Sequence, residues 1–254
     1  MTGEVKVARE GALAWVTLSH PGKLNAMSRA MWRELRQVFT ALPQDAGLRG
    51  VVLRGEGGHF CAGGDISEYP SFRFAAESLR EFHEDEVWAG LQAVLDCDVP
   101  VVAQIEGACM GAGVEISACC DIRIAGESAR FGAPIAKLGF PMAPREAALV
   151  AAAVGAATAK EMLLEAAVFD ATEMKLRGFL NRLRPDAEVA AEAEATAHRI
   201  AALAPQAARM NKQTFRALAT ATAVPPDAYA YASSAEHREG ITAFLHKRKP
   251  AFTS

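Results

Sequence analysis

The chain has 254 residues, is 51% hydrophobic and carries a formal net charge of −3. That length suits one large core, or a core with a helical appendage, and leaves little room for two independent catalytic domains. The small negative charge gives no global attraction for nucleic acid or an anionic membrane surface. An anionic ligand has to be held locally, and a small-molecule substrate is the better expectation.

The first residues, MTGEVKVAREG, contain no apolar signal region, and no apolar run approaches the roughly 20 residues of a membrane span. A cytoplasmic protein is therefore expected. Cys61, Cys97, Cys109, Cys119 and Cys120 are an odd set in apolar or Gly-rich surroundings, with no Cys-x-x-Cys spacing, and read as reduced core thiols with no metal to hold.

In chain order, VKVARE and ALAWVTLS flank Gly11 and predict a hairpin. Ser28 is placed to cap a helix whose apolar residues Met31, Leu35, Val38, Phe39 and Leu42 recur at helical spacing. GVVLRG is a short β-branched run that suits a buried strand. The Gly-rich stretch EGGHFCAGGDISEY follows, then a long amphipathic helix carrying Ala75, Leu79, Phe82, Leu91, Val94 and Leu95, which ends before Pro100.

VVAQIEG predicts a second buried strand, GACMGAG a second Gly-rich turn, VEISACC a helix and DIRIAG a strand. Past residue 140 alanine dominates and helices are expected, with only VFD and LNRLRP as plausible strands. Pro205 and the Pro225-Pro226 pair separate the last helical stretches.

Neither Gly-rich loop is a nucleotide fingerprint. GGHFCAGGD lacks a Gly-Lys-Ser/Thr ending, and GACMGAG lacks the acidic partner expected about 20 residues on. A Gly-rich turn entering a helix does, however, leave backbone N–H groups free to bind negative charge. Two such loops face to face would form an oxyanion hole. Composition alone favours the plainer reading, two tight turns with close backbone packing.

HPGKLNAMS, HFCAGGDISEY at 59–69, PVVAQIEGACMGAGVEISACCDIRIA at 100–125 and FLHKRKPAF at 244–252 resemble, in order and spacing, segments of the crotonase family of enoyl-CoA hydratases and isomerases. The resemblance spans nearly the whole chain. It implies an α/β fold, a spiral of repeated ββα units over residues 1–190, with a C-terminal helical region, 191–254, that mediates trimerisation. A homotrimer or homohexamer is thus implied.

The resemblance further implies an acyl-CoA thioester as substrate and no cofactor beyond the CoA the substrate carries. It gives the two oxyanion N–H groups to Gly64 and Ala112, and a proton-transfer role to Glu115, three residues along the same helix face. Lys23, Leu24, Ala26, Ala62, Asp65, Ile66 and Ser67 would line the CoA path, and Lys247 would reach a CoA phosphate on a neighbouring subunit.

One departure stands out. The family's hydratases carry a second glutamate after a Phe-Gly-x-Pro stretch; here FGAPIAKLG puts Ile135 there, and the following turn is about one residue shorter. Isoleucine transfers no proton. Arg145 and Glu146 lie at an expected helix start near the pocket, a position from which they could compensate; the preferred reading is ordinary surface chemistry of charged residues in a helix's first turn. His59 flanks the first loop and reads as a solvated loop histidine. Hydration of a 2-enoyl-CoA is the default expectation. Double-bond isomerisation with one glutamate is the alternative, and a CoA-thioester-binding protein with vestigial catalysis is a third reading.

Overall fold

Gly11, at φ +54°, turns the chain between β1 (Glu4–Glu10) and β2 (Leu13–Ser19), which pair antiparallel from Glu4↔Ser19 to Glu10↔Leu13. The computed structural model describes residues 2–219 and 228–252; the Pro225-Pro226 break expected from the sequence lies outside them. The Ser28 hydroxyl accepts from the Met31 N–H at 3.2 Å and caps α1 (Arg29–Ala41), whose buried face is Met31, Trp32, Leu35 and Phe39.

β3 (Gly50–Gly55) leads through the first Gly-rich loop to α2 (Ala76–Glu81) and α3 (Trp88–Asp96). The single long helix expected here is helical throughout, but a π-helical turn, Phe82–Val87, joins its two parts. Its widened turn brings Phe82 and Val87, five residues apart, both to the buried side, and such insertions often mark functional sites.

β4 (Val101–Ile105), β5 (Ala108–Met110) and α4 (Ala112–Ala118) form one ββα unit; β6 (Ile122–Gly126), β7 (Arg130–Gly132) and α5 (Pro144–Val154) form the next. The expected turn GACMGAG therefore contains a short strand, and β7 was not signalled by any β-rich run. After α6 (Ala156–Lys160) come β8 (Val168–Asp170), α7 (Ala171–Leu176) and β9 (Arg182–Arg184), where VFD and LNRLRP were expected.

The first strand of each unit enters a six-stranded sheet, ordered β1-β2-β3-β4-β6-β9 and parallel beyond β2; β5, β7 and β8 make a smaller sheet. β3 and β4 are covered on both faces, which is why they read as unbroken apolar runs. α8 (Val189–Ala201) seals one face: Val189, Ala193 and Ala197, spaced by four, pack on Leu13, Val52, Val102 and Ile124. Residue 190 falls in its first turn. Pro205 opens α9 (Pro205–Ala219), and α10 (Ala235–Leu245) completes the described chain.

All five cysteines are buried and unpaired, as expected, and burial pushes the Cys61 thiol up to about 12. No helix among the described residues is long and apolar enough to cross a membrane.

Candidate active site

The two Gly-rich loops run side by side because their backbones pair. Phe60 N–H donates to Glu106 O at 2.8 Å, Cys61 N–H to Ala108 O at 2.9 Å, and Met110 N–H to Cys61 O at 2.8 Å. The approach is so close that a Cβ on Gly113 would lie 2.5 Å from the Cys61 carbonyl oxygen, so this position admits only glycine. His59 is half-buried, and its Nδ1 accepts from the Ala108 N–H at 3.1 Å. It pins one loop to the other, which corrects the expectation of a solvated histidine.

In the first loop the N–H groups of Cys61, Ala62 and Asp65 all donate to carbonyls; in the second those of Met110 and Gly111 do. Among the described residues the N–H groups of Gly64 and Ala112 have no acceptor. Ala112 opens α4, where first-turn N–H groups have no intrahelical partner and the helix dipole is positive. Both residues line one inner cavity of about 280 Å³.

Glu115 lies one turn into α4, faces the same cavity, and is 9% exposed. Among the described residues its carboxyl group has no hydrogen-bond partner. Burial first, and the Glu146 carboxylate second, raise its pKa from the usual 4.5 to about 8, so the group is largely protonated at neutral pH. Ile135, from the turn Pro134–Leu138, also lines this cavity. The substituted position is at the site, without a proton-transfer group.

The outer wall comes from the segment after the first loop. A Cβ on Gly64 would collide with the Tyr69 hydroxyl, which places that phenol beside the Gly64 backbone. Burial raises the Tyr69 pKa. Arg73 stacks between two rings, 4.4 Å from the Tyr69 centroid and 3.8 Å from that of Phe140. Tyr69, Arg73, His83, Phe140 and Met142 line both the inner cavity and a larger groove of about 900 Å³, so the two are continuous.

Behind His83 stands Glu146. Its Oε1 lies 3.0 Å from His83 Nδ1, and the glutamate is 2% exposed. Glu146 is thus no surface residue, contrary to its expected reading. Arg145 beside it is half-exposed and pairs with Glu84 at 3.2 Å, the ordinary surface chemistry expected of it.

The other face of the loop forms a polar rim. Lys23 Nζ reaches Asp65 Oδ2 at 2.6 Å and Ser67 Oγ at 2.8 Å. Burial pushes the Asp65 carboxyl up, but Lys23 and Ser67 outweigh it and hold its pKa below the usual value. Leu24 and Asn25 adopt positive φ, and the Asn25 side chain locks this turn: Nδ2 donates to Glu56 O at 2.8 Å and His59 O at 2.7 Å.

The family model described as enoyl-CoA hydratase/isomerase matches residues 8–254. The chain belongs to the enoyl-CoA hydratase/isomerase family. A probable enoyl-CoA hydratase of Mycobacterium bovis is 30% identical, with 98% of this chain and 97% of that protein covered. A short-chain-enoyl-CoA hydratase of Clostridium acetobutylicum is 31% identical, with 96% and 95% covered. The crystal structure of an enoyl-CoA hydratase/carnithine racemase from Magnetospirillum magneticum superposes with a TM-score of 0.94 at 38% identity, covering 100% of this chain and 96% of that one.

The crotonase-type α/β fold expected from the sequence therefore stands. Of the residues expected at an enoyl-CoA hydratase/isomerase site, Ala62, Gly64, Ile66, Ala112 and Glu115 line the inner cavity. Lys23, Asp65 and Ser67 gather at the rim; Leu24 accepts through its carbonyl from Ala62 N–H, and Ala26 through its own from His20 Nδ1. Lys247 lies exposed past α10 and lines neither the inner cavity nor the groove.

Sequence reasoning missed Tyr69, Arg73 and His83 on the cavity wall. It preferred a surface reading of Glu146 to a compensating role at the pocket, although Glu146, Val150 and Val154 share one buried stripe at spacing four. That periodicity was the available signal.

Proposed function

We propose that this protein adds water across the 2,3-double bond of an enoyl-CoA thioester. The reading rests on one observation: two N–H groups without acceptors among the described residues, those of Gly64 and Ala112, share a small cavity with the buried carboxyl of Glu115. Attack at C3 drives electrons onto the thioester oxygen, and the two N–H groups hold that charge. Glu115, neutral below about pH 8, then gives its proton to C2. Ala62, Asp65, Ile66 and Ser67 flank the incoming CoA, with Lys23, Leu24 and Ala26 on the rim behind them.

The same scheme takes the protein to be a homotrimer or homohexamer in which Lys247 reaches a CoA bound to the neighbouring subunit. The apolar side chains left exposed on the last helices, Phe215, Leu218, Phe244 and Leu245, support that assembly. Sedimentation should give three or six times the mass of one chain, and a monomer would end this part of the scheme.

Ile135 favours a second reading, isomerisation of an enoyl-CoA double bond by one carboxylate that removes a proton and returns it. The two differ in the sign of their pH dependence. As an acid, Glu115 must be protonated, so kcat/KM for hydration falls as pH rises through about 8. As the base of an isomerase it must be ionised, and kcat/KM rises over the same range. Crotonyl-CoA is the first substrate to try, by following loss of the enoyl-thioester absorbance. Unchanged absorbance at high enzyme concentration would rule out hydration of short chains.

A further inference from the structure

We infer that His83, oriented by Glu146, is the second proton-transfer group of this site and takes over the task that Ile135 cannot perform. The inference rests on the hydration scheme proposed above and names the base that activates the water.

His83 lines the inner cavity together with Glu115 and Ile135, and its side chain is 20% exposed. It comes from the π-helical turn Phe82–Val87, the one interruption in an otherwise α-helical stretch, and the widened turn sets the ring on the cavity wall. Its two nitrogens have distinct partners. Nδ1 lies 3.0 Å from Glu146 Oε1, and Nε2 lies 3.5 Å from Arg73 Nη1. A guanidinium can only donate, so Nε2 is an acceptor and Nδ1 carries the proton toward Glu146. The contact to Arg73 is at the long limit of a hydrogen bond, so a water can replace it.

Glu146 supplies the second observation. It is 2% exposed, its Oε1 is on His83, and its Oε2 is the buried side-chain atom without a partner among the described residues. A carboxylate so placed is unfavourable for the resting fold, because half its hydrogen-bonding capacity is unmet in a medium of low dielectric. The arrangement becomes favourable when the ring beside it gains a proton, since the carboxylate is then the counter-ion of an imidazolium.

The step balances as follows. Nε2 of His83 takes a proton from water while its oxygen bonds to C3. The π electrons move to C2 and the thioester oxygen, and the Glu115 proton then closes the C2–H bond. Water has been added, His83 holds one proton more and Glu115 one fewer, and exchange with solvent restores both. The charged or titratable groups around His83 are Glu146 from α5, Glu115 from α4, and Tyr69 and Arg73 from the loop wall; Arg80 and Glu84 line the outer groove.

The test compares wild type, His83→Asn, Glu146→Gln and Glu115→Gln in two reactions. One is hydration of crotonyl-CoA. The other is exchange of the C2 protons of butyryl-CoA in deuterated water at about pH 9, where Glu115 is ionised; it needs the oxyanion site and Glu115 but no attacking water. His83→Asn should lower the ratio of hydration to exchange about a hundred-fold and remove the acid limb of the hydration pH profile. Glu146→Gln, which keeps an acceptor for Nδ1 but removes the charge, should lower kcat by about ten-fold or more at unchanged KM.

His83→Asn with wild-type hydration and an unmoved pH profile would overturn the assignment, as would parallel loss of both reactions in that variant, or an unsubstituted protein that exchanges the C2 protons but does not hydrate crotonyl-CoA. Wild type inactive in both reactions would instead overturn the underlying scheme.

Discussion

Glu115→Gln should lower turnover by about two to four orders of magnitude while leaving affinity for the CoA ester nearly unchanged, and it should make the protein more stable at alkaline pH. Both effects come from one carboxyl group. Its burial, and the Glu146 carboxylate second, favour the neutral form and keep a proton available near pH 8. Glutamine preserves shape and polarity but has no proton to give.

The stability effect has a definite sign. Below pH 4.5 the glutamate is neutral in the folded and unfolded chains alike, and its titration contributes nothing. Between 4.5 and about 8 the unfolded chain releases the proton and the folded chain keeps it, so wild-type stability falls with rising pH. Above about 8 the full penalty of a buried charge is present. A shift of that size is of the order of a few kcal/mol. The melting temperature of Glu115→Gln should therefore gain on wild type across this window and stay ahead above it. Parallel melting curves at pH 6 and about pH 9 would show that Glu115 is not held neutral.

Much of the inner site was legible because its chemistry is backbone chemistry. A loop that presents N–H groups must keep side chains away, and the glycines of CAGGD and GACMGAG record that in the sequence. Glu115 was legible because one helical turn fixes its direction. His83 and Glu146 escaped for a different reason: their meaning depends on an encounter across 63 positions of chain. The π-helical turn breaks the regular spacing from which a helix face is read, so His83 had no predictable side. Glu146 had a predictable side, shared with Val150 and Val154, but a charged residue in a helix's first turn has a ready explanation at the surface. Its contact with His83 could be seen only in three dimensions.

Ala112→Pro should fold and yet lose about 10²–10³ in kcat, with a smaller change in KM. Ala112 is the first residue of α4, and proline is well tolerated there because its fixed φ suits a helix start and no intrahelical bond is lost. What disappears is one N–H. A ground-state thioester carbonyl makes little use of that donor, whereas the oxygen of the enolate carries nearly a full charge, so the loss falls mainly on the transition state. Ala112→Gly is the matching control: it keeps the N–H, removes the methyl that narrows the approach, and should leave the rate within a few-fold of wild type. Circular dichroism and melting temperature establish whether the proline variant is folded. If it is folded and turns over at the wild-type rate, the charge is held without Ala112. The Gly64 N–H and the Tyr69 hydroxyl, adjacent on the cavity wall, would then be the donors to remove next.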